Sequence, residues 1–230
     1  MNQQKTTAIV LRRVDYGEAD RILTVLTADV GKLSLMAKGV RRVKSKLAGG
    51  IELFSTTEIT YILGRGSIST LVSARLKKHY AQIVSDIDRT MLGYELIKLL
   101  DKITEDQPEP AYFELLDETF QALNDHELSI DLIKTWFTAQ MLRLAGHTPN
   151  LQYDVLGAKL NASEHYTFDH DATACIAQSD GLYGVDEIKF LRLVFAKVTP
   201  RQLSTVVGHE KLISHVGPLV VTLRQLHLKV

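Results

Sequence analysis

The sequence predicts an α+β protein of more than one domain, in which a five-stranded OB-fold β-barrel precedes an α-helical domain. Three observations lead to this prediction. Short segments rich in β-branched residues fill the first 80 residues, apolar residues recur at helical spacing after residue 80, and the net charge changes sign at the same place. The expected domains are therefore 1–80 and 81–230, with a small irregular lobe at 150–182.

Five segments of the first 80 residues have the composition of strands. They are Thr6–Val14, Ala19–Thr27, Lys32–Gly39, Thr56–Leu63 and Ser67–Lys77. Glycine occurs in every break between them, as in Asp15-Tyr16-Gly17 and Gly64-Arg65-Gly66, and it favours turns. Because five consecutive short strands without a helix suit a small closed barrel, we expect an OB-fold.

Apolar residues after residue 80 recur every three or four positions, which predicts helices. A first helix is marked by Leu92, Leu96, Leu99, Leu100 and Ile103. Pro108 and Pro110 separate it from a second helix at Ala111–Asn124. Two later helices are expected at Val185–Val198 and around Leu212–Leu223.

The third helix has the clearest apolar stripe, which ends before Gly146 and Pro149. The stripe consists of Ile133, Trp136, Phe137, Met141 and Leu144. Large side chains at this spacing are typical of a helix packed on a core. We therefore expect Trp136 and Met141 to be buried packing residues, not parts of a ligand site.

The formal net charge of zero conceals two oppositely charged halves. Residues 1–80 carry 14 lysines and arginines against 6 acidic residues, a net charge of +8. Residues 81–230 carry 13 against 21, a net charge of −8. This asymmetry suggests that the halves face different partners, although a chance scatter of surface charge would look the same.

The strongest local feature is the segment 38–46, in which five of nine positions are basic. These residues are Lys38, Arg41, Arg42, Lys44 and Lys46. A cluster of this kind suits a nucleic-acid backbone, because each neutralised phosphate releases a condensed counterion. Secondary contacts are expected from Arg65, Arg75, Lys77 and Lys78. A charge run that is merely solvated remains the alternative.

Two features of the same half weaken a simple DNA-binding barrel. Asp15, Glu18 and Asp20 follow the first strand and are expected to repel phosphate. Aromatic residues that could stack on bases are few, namely Tyr16, Phe54, Tyr61 and Tyr80. We therefore expect binding dominated by charge, with weak sequence preference and a steep dependence on salt.

The residues indicate no enzyme and no cofactor. Walker-type loops and Gly-x-Ser-x-Gly elbows do not occur in the sequence. Cys175 is the only cysteine and has no evident histidine partner, so we expect it to be a small buried apolar residue. The sequence lacks an apolar run long enough to span a membrane and begins without a secretory signal, so a cytoplasmic protein is expected.

Several of these segments, in this order, resemble the N-terminal domain of the bacterial RecO family. They are Ala8–Leu11, Tyr16–Leu23 with Thr27 and Gly31, Lys38–Arg42 and Lys44-Ser45. The stretch Leu144–Leu151 fits the way that the helical part of the family closes a helix. The resemblance covers most of the chain and is strongest over its first 80 residues.

The resemblance implies a mediator of recombination in the RecF pathway of DNA repair. Such a protein would bind single- and double-stranded DNA and anneal complementary strands. Together with RecR it would assist the loading of RecA onto DNA coated by the single-stranded DNA-binding protein, in the cytoplasm at the nucleoid. Contact with the acidic tail of the coating protein would need a local basic pocket, from Arg192, Lys197 and Arg201, or from Lys211 and Arg224.

The resemblance also implies a departure at 150–182. Many members of the family carry two Cys-x-x-Cys pairs there, a closed zinc site. The first pair aligns with Asp154 and Gly157, and the second with Cys175 and Gln178. Since one cysteine remains, we expect a zinc-free remnant of the zinc-finger lobe, packed around Tyr166, Phe168 and Ile176.

Three other functions stay open at this point. An OB-fold protein that binds RNA would share the basic segment, and a protein-interaction adaptor could carry it without binding DNA. A metal-dependent hydrolase could be built around His165, His170 and Asp154.

Overall fold

The computed structural model describes residues 3–104 and 109–228. They form two compact units, of which the first ends at His126 and the second begins at Glu127. The change from strands to helices near residue 80 therefore falls inside the first unit, which contains the barrel and two helices. Within the described ranges, no helix has the length and apolar character needed to cross a lipid bilayer.

The first unit is built on a closed barrel of five strands, as the sequence predicted. The strands are β1 (Gln3–Tyr16), β2 (Asp20–Thr27), β3 (Lys32–Ala37), β4 (Ser55–Ile62) and β5 (Ile68–His79). Their order around the barrel is β1-β2-β3-β5-β4, with β3 and β5 parallel and β4 returning to β1, which is the connectivity of an OB-fold. Both bounds of each predicted segment lie within three residues of the bounds of the observed strand.

The long first strand closes the barrel because its two halves pair with different neighbours. Its first half pairs with β4, from Gln3 opposite Ile62 to Ile9 opposite Thr56. Its second half pairs with β2, up to Tyr16 opposite Asp20. Alternate side chains fill the interior, among them Val10, Leu23, Val25, Leu35, Ile59, Tyr61 and Leu71.

Two helices, α1 (Ile87–Ile103) and α2 (Pro110–Leu123), complete the first unit. The ammonium of Lys32 on β3 donates to the carbonyl oxygens of Asp101 at 2.6 Å and Thr104 at 2.8 Å. A cation at this end is favourable, because the last carbonyls of a helix lack partners within it. Pro110 starts α2, a position where its missing N–H costs nothing. Pro108 lies outside the described residues.

Phe54, immediately before β4, joins both helices to the barrel. Its ring packs edge-on against Tyr94 of α1 and Phe120 of α2. A side-chain carbon placed on Gly93 would come within 2.5 Å of the Phe54 ring, so α1 approaches closely only because that position is glycine. On α2, Asp117 accepts hydrogen bonds from the hydroxyls of Thr56 at 2.7 Å and Tyr80 at 2.6 Å.

The second unit is organised around α3 (Ile130–Leu144), with α4 (Val185–Phe195), α5 (Pro200–Leu203) and α6 (His209–His227). Trp136 and Met141 are buried in its core, as predicted. The indole of Trp136 donates to the carbonyl of Val198 at 2.7 Å, and the amide of Gln140 donates to the carbonyls of Val194 and Ala196. These bonds hold the end of α4 on α3.

The lobe at 150–182 is non-helical, as expected, but it is not irregular. Three short strands form a sheet in the order β6-β8-β7, namely β6 (Asn150–Asp154), β7 (Tyr166–Asp169) and β8 (Ala174–Ala177). Tyr166 and Phe168 are buried in this lobe, as predicted, whereas Ile176 is only partly buried. Strands of four or five residues are too short to produce a recognisable alternation in the sequence.

Candidate nucleic-acid interface

The basic segment 38–46 forms an exposed loop that follows β3. We refer to residues 38–46 as the basic loop. The side chains of all five of its cations are exposed, namely Lys38, Arg41, Arg42, Lys44 and Lys46. Val43 between them is fully exposed, at 104% of its reference area. The middle of the loop thus stands clear of the barrel.

The start of the basic loop is fixed to the turn between β1 and β2. The carboxylate of Asp20 accepts a hydrogen bond of 2.6 Å from the backbone amide of Gly39. The amide of Arg41 donates to the carbonyl of Ala19 at 2.9 Å. Gly39 has a φ of 64°, in the left-handed region that favours glycine. The chain therefore turns sharply where the cations begin.

Two of the three acidic residues of that turn, Asp15 and Asp20, are engaged with cations or an amide, which reduces the repulsion of phosphate expected of them. The guanidinium of Arg21 donates to Asp15 at 2.7 Å, and that of Arg41 lies 3.5 Å from the same carboxylate. The hydrogen bond from Arg21 is the main cause that lowers the pKa of Asp15. Among the acids of this turn, only Glu18 is exposed without a polar partner in the described part of the chain.

The chain that follows the basic loop is fixed as well. Arg13 on β1 forms an ion pair with Glu52 at 3.1 Å. Ile51 is buried in the barrel core, and a side-chain carbon on Gly50 would overlap Ala74 of β5. A loop anchored at both ends loses less conformational entropy on binding than a free one.

Four cations of the basic loop have no ion-pair partner within the ranges that the structure describes: Lys38, Arg42, Lys44 and Lys46. Arg41 differs, because Asp15 partly neutralises it. The hydroxyl oxygen of Ser45 accepts a hydrogen bond from the amide of Leu47 at 3.3 Å, which leaves its hydrogen for an outside acceptor. These groups can act together on a polyanion.

Tyr16 is the one exposed aromatic side chain of the barrel among residues 3–80. It is 55% exposed at the end of β1, whereas Phe54, Tyr61 and Tyr80 are buried. Tyr16 pairs with Asp20, whose carboxylate holds the start of the basic loop. The sequence did not distinguish Tyr16 from the other aromatics, although its place beside a turn glycine at a strand end was a signal.

The structure does not bring the secondary cations into the basic loop. Arg65 lies in the hairpin between β4 and β5, at the opposite end of the β3–β5 ladder from Lys38. Arg75 and Lys77 project from β5 near Glu58. Lys78 lies over the ring of Tyr80, with 4.8 Å between its nitrogen and the ring centroid. All four are exposed but occupy separate places.

The second unit carries a groove between α4 and the start of α6, with a volume of about 430 Å³. Apolar walls come from Phe190, Leu193 and Val207, and Val207 is almost fully exposed. Lys189 and Lys211 line the groove, as do Asp186 and Glu187. The sequence had suggested a basic pocket from Arg192, Lys197 and Arg201, or from Lys211 and Arg224. Arg192 binds the carbonyl of Leu151 and Arg201 the carboxylate of Glu127, whereas Lys211 lines the groove.

The residues of the sheet lobe do not fit a zinc ion. Cys175 is the one cysteine of the lobe, and Gly157, at one of the positions that align with the cysteine pairs, has no ligand atom in its side chain. The carboxylate of Asp154 accepts hydrogen bonds from the amides of Leu156 and Ala158. Across 3–104 and 109–228, no three His, Cys, Asp or Glu side chains lie in a metal-binding group, so His165, His170 and Asp154 do not form the hydrolase centre considered above.

Comparison with known proteins places the chain beside proteins of recombination and DNA repair. The family model for the N-terminal part of recombination protein O matches residues 1–80, and that for its C-terminal part matches residues 84–182. The chain is 34% identical to DNA repair protein RecO of Dehalococcoides mccartyi over 149 residues, which cover 64% of this chain and 58% of that protein. It is 35% identical to RecO of Rhodopirellula baltica over 148 residues, which cover 63% and 54%.

RecO of Halalkalibacterium halodurans is 33% identical over 148 residues, 64% of this chain and 58% of that relative. The matched stretch thus spans little more than half the length of each of these relatives.

Proposed function

The chain belongs to the RecO family of DNA repair and recombination proteins, and on that premise we propose that it is a non-enzymatic recombination mediator. In this proposal it binds single- and double-stranded DNA and anneals complementary strands. With RecR it assists the loading of RecA onto DNA coated by the single-stranded DNA-binding protein. A cytoplasmic, nucleoid-associated location is part of the same proposal.

The anchored basic loop is the observation that carries the proposal. Four cations without ion-pair partners in the described chain project from it, and two of the three turn acids beside it, Asp15 and Asp20, are already engaged. Each phosphate that these cations neutralise releases counterions, which favours binding with little dependence on base sequence. Tyr16 adds a face on which a base can stack.

Annealing follows from the same chemistry. Two strands repel each other through their phosphates, and a protein that neutralises some of them lowers this repulsion. A loop that contacts phosphates but not base edges leaves the bases free to pair. RecR and RecA enter the proposal through family membership alone.

We infer that the groove of the second unit receives the acidic C-terminal tail of the single-stranded DNA-binding protein. Lys189 and Lys211 supply charge for carboxylates, while Leu193 and Val207 supply apolar contact. Asp186 and Glu187 also line the groove, but Glu187 is already engaged by the amide of Gly184 and the ring of His215. The two lysines are therefore opposed mainly by Asp186, which supports attraction of an acidic segment to this part of the acidic half.

The test of the mediator function is annealing of two complementary labelled oligonucleotides, followed by fluorescence energy transfer. We expect the wild-type protein to accelerate annealing of DNA, and the variant Arg42→Ala/Lys44→Ala/Lys46→Ala to accelerate it much less. A preference for RNA strands would favour the RNA-binding alternative. The adaptor alternative predicts no acceleration with either protein.

A further inference from the structure

A second polar surface lies on the outer face of β1, β4 and β5, which we call the β1–β4–β5 face. Two rows of paired residues cross it. Thr7 pairs with Glu58 and Glu58 with Arg75, while Lys5 pairs with Thr60 and Thr60 with Ser73. Their sequence neighbours Ala8 and Ile59 are buried in the core, so alternation directs these side chains outward.

Three cations on this face surround one carboxylate. Lys5 lies 2.9 Å from Glu58 and Lys77 lies 3.9 Å from it, and both lysine side chains remain about half exposed or more. Arg75 stands opposite Glu58 in the strand register. The hydrogen bond from Lys5 is the main cause that lowers the pKa of Glu58, so the carboxylate is charged at neutral pH. The cluster therefore carries a net charge of +2.

Hydroxyl groups surround these cations. Thr7, Thr60 and Ser73 all belong to the two rows, and the ammonium of Lys77 donates to the hydroxyl of Thr7 at 3.1 Å. Lysine, arginine, serine and threonine are the usual ligands of phosphate oxygens in nucleic-acid complexes. The two rows of paired residues contain no aromatic side chain, so they offer no platform for base stacking. The chemistry suits a sugar–phosphate backbone.

The β1–β4–β5 face is separate from the basic loop. Lys5 belongs to the face, and Tyr16 adjoins the turn that holds the loop. They lie at opposite ends of β1, roughly 35 Å apart in strand length at the usual rise per residue. On β5, Ala74 packs towards the core and Gly50, so Arg75 points to the opposite side of the sheet.

We propose that the β1–β4–β5 face binds the phosphate backbone of a second nucleic-acid strand while the basic loop holds the first. This inference rests on the proposed DNA binding by the loop and gives annealing its second site. Two separate cationic surfaces on one barrel hold two strands on the same small domain, which raises the local concentration of each strand near the other. With three cations, the face binds more weakly than the loop and is steeply sensitive to salt.

The experiment uses two non-complementary single strands, one with a donor and one with an acceptor dye, so that energy transfer reports joint binding without base pairing. Anisotropy of the first strand alone measures loop binding. Three variants are compared with the wild type: the loop variant Arg42→Ala/Lys44→Ala/Lys46→Ala, the face variant Lys5→Ala/Arg75→Ala/Lys77→Ala, and a control. The control, Lys98→Ala/Lys102→Ala/Lys159→Ala, removes three exposed cations elsewhere.

We expect the face variant to bind the first strand within about twofold of the wild type and to lose about tenfold in capture of the second strand. The loop variant should lose affinity for the first strand, and the control should change neither. Capture of the second strand by the face variant at the wild-type level would overturn the proposal. If the loop variant binds the first strand as tightly as the wild type, the proposed loop site is contradicted. The proposed face site is then decided by whether the face variant loses capture of the second strand. If the wild type binds no strand at low salt, both proposals are contradicted.

Because the face variant strips Glu58 of its partners, its folding must be checked by circular dichroism and thermal unfolding. The milder variant Arg75→Gln/Lys77→Gln keeps the Lys5–Glu58 ion pair and serves if the triple variant unfolds. It should reduce capture of the second strand in the same direction and to a smaller extent. A milder variant that captures the second strand as well as the wild type contradicts the proposal.

Discussion

The carboxylate of Asp20 accepts a hydrogen bond of 2.6 Å from the backbone amide of Gly39. Through this bond the first residue of β2 fixes the place where the basic loop leaves the barrel. An acidic residue next to the basic loop thus stabilises the loop, because its charge is engaged with an amide. The position of the loop cations depends on this relationship.

Replacing Asp20 with alanine should loosen the basic loop. Hydrogen bonds to charged groups contribute about 1.5–3 kcal/mol, so we expect unfolding free energy to fall by about 1–2 kcal/mol in the partly exposed turn. Urea unfolding measures this change, and hydrogen exchange of residues 38–46 should become faster. Asp20→Asn keeps an acceptor oxygen and is expected to lose less. Unchanged exchange in Asp20→Ala would show that the bond does not hold the loop.

Tyr16 should contribute to single-strand affinity by stacking. Replacing it with alanine should weaken binding by about 1–3 kcal/mol, whereas Tyr16→Phe, which keeps the ring, should bind nearly as well as the wild type. Both variants can be compared by anisotropy with a labelled oligonucleotide. If the alanine and phenylalanine variants bind equally well, the ring does not contact a base.

The groove of the second unit should bind an acidic peptide. We expect Lys189→Ala/Lys211→Ala to weaken binding of a peptide with the acidic tail of a single-stranded DNA-binding protein, because both lysines line the groove. Calorimetry gives the peptide affinity, and Lys98→Ala/Lys102→Ala is the matched control. DNA binding by the groove variant should be unchanged. Wild-type peptide affinity in that variant would remove the groove from the account.

Cys175 should react slowly with thiol reagents in the folded protein. Its side chain is buried and burial raises its pKa to about 11, so roughly one thiol in a thousand is ionised at pH 8. Reaction with a chromogenic disulfide should therefore be slow in buffer and fast in denaturant. A chelator should not change the rate or the melting temperature, since the lobe residues do not fit zinc. A rapid reaction in the folded state would contradict this description of the lobe.

The pattern of the sequence was enough to predict the barrel and its helices, because these elements depend on local composition and period. The strand pairing of the OB-fold is not visible in local composition, because the parallel β3–β5 pair joins segments more than thirty residues apart. The short strands of the lobe were missed because their order depends on tertiary pairing, as between Phe168 and Cys175.

The candidate site was predicted less completely than the fold. The five cations of the basic loop were visible as a charge run, and all are exposed. The role of Asp15 and Asp20 was not visible, because their partners Arg21 and Gly39 are set by strand register and by a loop that returns to the turn. Arg75 and Lys77 were expected to be secondary contacts that extend the positive charge of the barrel, although strand geometry directs them to another face.

The central claim is that the basic loop binds nucleic acid through its cations. The most direct measurement is anisotropy of a labelled single strand at several salt concentrations, with the wild type, Arg42→Ala/Lys44→Ala/Lys46→Ala and the Lys98/Lys102/Lys159 alanine control. Arg41 is left in place because it pairs with Asp15. We predict about tenfold weaker binding by the loop variant at low salt, and a slope of log affinity against log salt that is shallower by about 2. Equal affinity and equal slope in the loop variant and the control would contradict the claim.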